Sequence, residues 1–428
     1  MKKVLPALLA VVILIIIIIS SIERPHDPKH NVIAGTDAML SSKKASEKKL
    51  SECTVNFYME NSGSMDGYVN GVTEFKDVLG RMIVNANHFC KATDFYFIND
   101  EVYKANSNAI DFIQMLNPSK IKVGKVGSTD VNRIFRKILG QTKCDTVSIL
   151  FSDCIYSVKD VNASLDNAKN ATTAAFLEAT KSNPDFATII LQFHSQFDGI
   201  YFDRMDHKLP CKSLRPYYVV MMGDKGYLSN LYREIKVEEM PMLLNSYFLS
   251  TESWTLNEDN VTAIISDYTN AKRIKPCRNY MDIEQISFDR DAKNLEFAVG
   301  FDADGLFATP SYLDDPENYE VMPNDYQVVE VVKPSSAAIG DFSKKPKIPF
   351  ALRLKVPESS CVPMINVALK NKIPGWVKES NVVDDLNMIP LPTQSFAIEK
   401  MVEGIYNAYD IEGKDIAKFE INILKYKR

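Results

Sequence analysis

Residues 54–65, TVNFYMENSGSM, decide how the rest of the chain is read. Val55, Phe57 and Met59 alternate with Thr54, Asn56 and Tyr58 in β-branched and aromatic company, the two-residue period of a strand. The period breaks where Asn61, Ser62 and Gly63 come together, so the strand delivers a small, oxygen-rich loop. Glu60, Ser62 and Ser64 offer a carboxylate and two hydroxyls from alternate positions, with no thiol or imidazole among them. Hard oxygen donors of this kind suit Mg2+, Mn2+ or Ca2+ rather than zinc. A loop at the carboxyl end of a strand, followed by a helix, is also where open α/β sheets keep their ligands.

A strand–helix rhythm continues from this loop. Phe75, Val78, Leu79, Met82, Ile83 and Ala86 fall at helical spacing within 75–89, and DFYFI from Asp94 reads as a second strand. Asn99 and Asp100 make a tight turn into EVYKA, which predicts a third strand antiparallel at the sheet edge. An irregular helix around 108–116 follows. Gly127, Ser128 and Thr129 then precede an amphipathic helix carrying Val131, Ile134, Phe135, Ile138 and Leu139. Taken alone, Thr129 before Asp130 is ordinary helix capping. DTVSILFSDC, from Asp145, is a nearly all-apolar buried strand ending on Ser152 and Asp153. A helix over 171–182, a strand from Ala187, a hairpin turn at Asp198–Gly199, a strand from Pro216 and a helix over 226–235 complete the pattern. His194 sits near the end of its strand and reads as a packed side chain rather than a ligand.

Three loops therefore lie in order at one sheet edge, and together they resemble the von Willebrand factor type A (vWA) family. Its metal-ion-dependent adhesion site opens with Asp-x-Ser-x-Ser, adds a Thr from a Gly-x-Thr loop and ends on an Asp. On that resemblance Glu60, Ser62, Ser64, Thr129 and Asp153 form the metal site. Two departures stand out: Glu60 replaces the first Asp, and Cys154 follows Asp153 where the family usually has Gly. The implied fold is α/β, a vWA-like doubly wound, mostly parallel sheet with one antiparallel edge strand, over about residues 53–236. The implied activity is capture of a partner protein's carboxylate by the bound cation, with no catalysis. A metal-free scaffold within an envelope complex is the alternative, and a metal-dependent hydrolase ranks behind it because no Ser/His/Asp order or second metal cluster accompanies the site.

At 428 residues and 46% hydrophobic content the chain is long enough for two cores. Its net charge of −5, without a basic run, leaves no electrostatic footprint for a nucleic-acid partner. Lys2 and Lys3 precede an uncharged apolar run from Val4 to Ile22, longer than the roughly 7–15-residue core of a cleaved signal peptide. Residues 1–22 thus read as a single-pass signal anchor, with the lysines inside and the bulk of the chain on the periplasmic or extracellular side. Residues 23–52 read as a polar tether with a short helix before Cys53. Its His26 and His30 flank Pro28 and are poorly placed to share a helical face.

From Val237 the texture changes to period-2 segments broken by Pro, Asp and Asn, among them NLEFAVGF from Asn294, PFALRLKV from Pro349 and MINVALK from Met364. Residues 237–428 are expected to form a β-rich, sandwich-like domain with a late helix over 395–408 and a last strand from Ala417. Seven cysteines, at 53, 90, 144, 154, 211, 277 and 361, lack Cys-x-x-Cys spacing. Cys53, Cys90 and Cys144 fall at the sheet end opposite the metal loop, and the sequence leaves their pairing open.

Overall fold

The chain enters the sheet through β1 (Thr54–Glu60), of which every residue after the first is buried, so both faces of the strand lie inside the protein. The computed structural model describes residues 48–125, 131–155, 161–289, 291, 293–335 and 349–427. The apolar run Val4–Ile22, most of the tether with His26 and His30, and Thr129 lie outside the described residues. Among the described residues no helix is long and apolar enough to cross a membrane.

Seven strands make the main sheet: β1, β2 (Ala92–Ile98), β3 (Val102–Lys104), β4 (Thr146–Ser152), β5 (Phe186–Phe202), β6 (Lys208–Asp224) and β7 (Leu243–Leu249), in the order β3-β2-β1-β4-β6-β5-β7. β1 is parallel to both β2 and β4, and β3 is the expected antiparallel edge strand. The remaining pairs, β4–β6, β6–β5 and β5–β7, are antiparallel. The sheet is therefore mixed rather than mostly parallel, which corrects the expectation for its second half. The cause is a long hairpin: β5 and β6 pair along their whole 17-residue lengths, and β6 runs back between β4 and β5. A fully buried apolar strand shows the same sequence whichever way its neighbour runs.

The hairpin also moves the turn. Asp198 and Gly199 lie within β5, with Gly199 opposite Cys211, and the chain reverses at 203–207 instead. There the buried Asp203 carboxylate accepts from the Met205 and His207 amides, each at 2.9 Å, which is the local chemistry of a turn. Gly199 is required for a different reason. A Cβ at that position would meet the Gly67 Cα at 2.7 Å, so two backbones pass too closely for any side chain.

Helices cover both faces. α1 (Glu74–Phe89), capped by the Thr73 hydroxyl, packs Phe75, Leu79, Met82 and Ile83 against Val55, Phe57 and Met59, with α2 (Ala109–Gln114) and α5 (Lys225–Glu234) on the same side. On the other face α3 (Val131–Leu139) and α4 (Val161–Ser182) bring Ile134, Phe135, Ile138 and Phe176 against Tyr58 and Leu150. That second cluster continues into the C-terminal half. α6 (Ile398–Ala408) crosses α4 at Gly404, where a Cβ would meet the Lys169 carbonyl at 2.8 Å, and the Thr173 hydroxyl donates to the Gly404 carbonyl at 2.9 Å. The helix starts three residues later than expected because Ser395–Phe396 pairs with Asn381–Val382.

Among the described residues two four-stranded sheets, a three-stranded one and the two-stranded pair just named follow β7. Asn294–Phe301, Phe350–Pro357 and Gln327–Val332 pair in one; Met364–Lys370 and Asp415–Asn422 pair in another, and Phe301 of the first stacks on Phe419 of the second at 6.2 Å. Contacts cross the point near Lys236 where the sequence changes texture. β7 lies beyond it, the Gln192 amide donates to Ser380 Oγ at 3.0 Å, and Tyr201 donates to Asp385 at 2.6 Å. A polypeptide ending at Lys236 is expected to melt at least about 10 °C below the full chain, or without cooperativity, since it forfeits one sheet edge and much of one core face. Circular dichroism melts of the two polypeptides check this; equal cooperative transitions would mean that the first part carries a self-sufficient core.

Candidate functional site

At the carboxyl end of β1 the chain makes a 3-10 turn, Gly63–Met65, and a single helical turn, Asp66–Val69. Apolar Met65 and Tyr68 are buried beneath this loop, and the Tyr68 hydroxyl donates to the Pro216 carbonyl at 2.5 Å. Asn61 fixes the loop from the side. Its amide donates to the Ile121 and Val123 carbonyls at 2.6 and 2.9 Å, while its oxygen accepts from Asn99 at 2.8 Å. A buried carboxamide thus satisfied is a rigid strut rather than a turn residue.

The expected ligands assemble on this support. The Ser62 and Ser64 hydroxyls lie 2.9 Å apart. Ser64 also donates to Asp153, whose Oδ1 accepts from the Ile155 amide at 3.2 Å. Glu60 is buried at the end of β1 and accepts a short hydrogen bond from the Ser152 hydroxyl, which in turn accepts from the Cys154 amide at 2.8 Å. Because β1 and β4 run parallel in register, with Met59 facing Phe151, Glu60 and Asp153 end up on one rim. Glu60, Ser62, Ser64 and Asp153 are therefore brought together, and Thr129 lies outside the described residues. Cys154 has φ of +54°, the left-handed conformation that glycine adopts most easily.

Burial pushes the Asp153 carboxyl above its ordinary range, against the Ser64 and Ile155 hydrogen bonds and the charge of Arg215, which pull it down. Arg215 is the residue that the sequence reading missed. Fully buried on β6, it donates to the Pro390, Leu391 and Gln394 carbonyls at 2.6, 3.2 and 3.1 Å and lies over the Tyr201 ring at 4.9 Å. Its one sequence signal is a cation placed directly before a Pro and an apolar strand, LRPYYVVMMG. His194, at the Pro216 register of β5, is packed as expected. Burial and Arg215 hold its pKa down, and its Nε2 has no hydrogen-bond partner among the described residues.

The donor set fits a hard cation. Adjacent oxygens around Mg2+, at bonds of about 2.1 Å, lie about 3 Å apart, and the two serine hydroxyls have that spacing. Asp153 is buried with the Arg215 guanidinium as a positive neighbour, and Glu60 is buried close by on the same rim. Among the described residues no three of His, Cys, Asp and Glu gather to hold a metal. An Asp held above its usual pKa favours folding less once ionised, so stability falls as pH rises from the unfolded carboxylate range through the raised folded value. Asp153→Asn should accordingly raise the melting temperature of metal-free protein at neutral pH, with a gain that shrinks toward about pH 4. Thermal melts of both proteins at the two pH values check this, and a lower Asn melting point at neutral pH would contradict it.

No family model, curated protein or solved structure matches the chain.

Proposed function

We propose that the chain is a membrane-anchored binding module, vWA-like in its site, that uses a divalent cation to take hold of a carboxylate on a partner protein. The observation that carries this reading is the pair of hydroxyls at 2.9 Å, with Asp153 hydrogen-bonded to one of them, at the carboxyl ends of two neighbouring parallel strands. That edge lies between β2 and β4 on either side of β1, where the chain connections diverge and open α/β sheets place ligands. Ser62, Ser64 and Asp153 would hold Mg2+, Mn2+ or Ca2+, with Thr129 completing the set and Glu60 backing the rim through the Ser152 hydroxyl. Such an ion supplies an open coordination position for an anionic oxygen.

The surroundings support a protein ligand. Val383, Leu386, Met388, Ile389 and Leu391 are exposed on the loop whose carbonyls bind Arg215, giving apolar area beside the rim. The end where the tether arrives lies away from it: Lys48 pairs with Asp224 at 3.4 Å and its carbonyl accepts from Asn230 at 2.8 Å, at the opposite end of β1. One observation favours the metal-free scaffold instead. The Glu60 carboxylate, one methylene longer than that of Asp, is already hydrogen-bonded by the Ser152 hydroxyl.

Calorimetric titration of the chain with Mg2+ and Mn2+ separates the two readings. Binding heat is expected for the wild type; Glu60→Asp should strengthen Mg2+ binding by roughly 10–100-fold, the range for outer-shell partners, and Asp153→Ala should abolish it. Heats identical in all three, or absent from all, would leave the scaffold as the account.

A further inference from the structure

We propose that Cys53 and Cys90 form an intramolecular disulfide that closes a ring around β1, the Glu60–Ser64 loop and α1. The backbone brings them together. Thr54 faces Ala92 in the parallel ladder, and one step back the Lys91 amide donates to the Cys53 carbonyl at 2.9 Å, so Cys90 is bonded directly to the nitrogen that Cys53 accepts from. The path through that hydrogen bond keeps the two Cα atoms within about 8 Å, a bound that includes the roughly 4.4–6.8 Å a disulfide spans, and the Cys90 thiol is near enough to act on that of Cys53. Both side chains also point to the same face of the sheet. Cys53 belongs to the apolar cluster formed with Val55, Met82 and Ala86, and Cys90 packs against that cluster from the end of α1.

Their exposure divides the chemistry between them. Cys90 is half-buried and reachable, whereas Cys53 is wholly buried. With a small organic disulfide as oxidant, the Cys90 thiolate attacks one sulfur and releases one thiol. Cys53 then attacks the mixed disulfide at the Cys90 sulfur and releases the second. Two cysteine hydrogens leave, two electrons pass to the oxidant and two small thiols form. Burial pushes Cys90 up to about 11 and Cys53 up to about 12, so the thiolate is scarce at neutral pH and the reaction quickens as pH rises. The inference does not depend on the metal reading.

The test incubates the full chain, natively folded, with oxidised glutathione at several pH values, followed by alkylation and peptide mapping. The expected product links the Cys53 and Cys90 peptides, is lighter by two hydrogens, and raises the melting temperature by roughly 5 °C. The link should form faster at higher pH, and Cys90→Ser and Cys90→Ala should each abolish both the link and the rise. A lasting glutathione adduct on Cys90 with Cys53 still reduced, a link from either residue to Cys144, or unreacted thiols at the highest pH would each overturn the proposal.

Discussion

The buried guanidinium of Arg215 is the constraint on which the site end of the protein depends. Removing such a group from water costs several kcal/mol, and a lone buried cation is tolerated only where its donors are met. Here they are met by three main-chain carbonyls of 390–394 and by the face of Tyr201. Charged-group hydrogen bonds contribute about 1.5–3 kcal/mol each, enough together to offset the burial. The acceptors come from a segment about 175 positions further along the chain. The cation therefore fastens the C-terminal half across the end of the main sheet while lending Asp153 a positive neighbour. One side chain serves both packing and electrostatics.

A second fastening works at the hairpin tip. Asp203 accepts the Asn387 amide at 2.8 Å, and Asp385 takes both the Tyr201 hydroxyl and the Arg204 amide. These carboxylates act on loops rather than on a ligand, and their partners are mostly backbone N–H groups. The apolar side chains of 383–391 are presented outward because the backbone of the same loop is held from beneath. Directional polar contacts beneath the loop thus fix its backbone while its apolar side chains stay exposed.

Much of the first half was legible in its residues. β1, α1, β2, the antiparallel β3 and β4 stand where alternation, helical spacing and the Asn99–Asp100 turn put them, because each pattern is local. The gathering of Glu60, Ser62, Ser64 and Asp153 was legible as well, since a parallel pair of strands delivers its carboxyl ends to one rim. The direction of β6 was not, because a buried apolar run carries no mark of its neighbour's polarity. Asp198–Gly199 misled for a related reason: that glycine answers to the backbone of Gly67, a contact invisible in sequence. Arg215 was hidden by distance, its acceptors being loop carbonyls that any residue type can supply.

The placement of β1 also bears on how the protein would carry load. The chain reaches the sheet at Cys53, the rim begins at Glu60, and β1 spans the two with β2 paired along all seven of its residues on one side and β4 along six on the other. A force drawing Cys53 away while the neighbouring strands are held would act along the axis of a central strand. Its ladder bonds lie across the direction of force and share it on both flanks, so they must give way together instead of peeling one at a time. The same seven residues that aim the loop would thus set the resistance of the chain's entry point to such a force, a kinetic property of the strand.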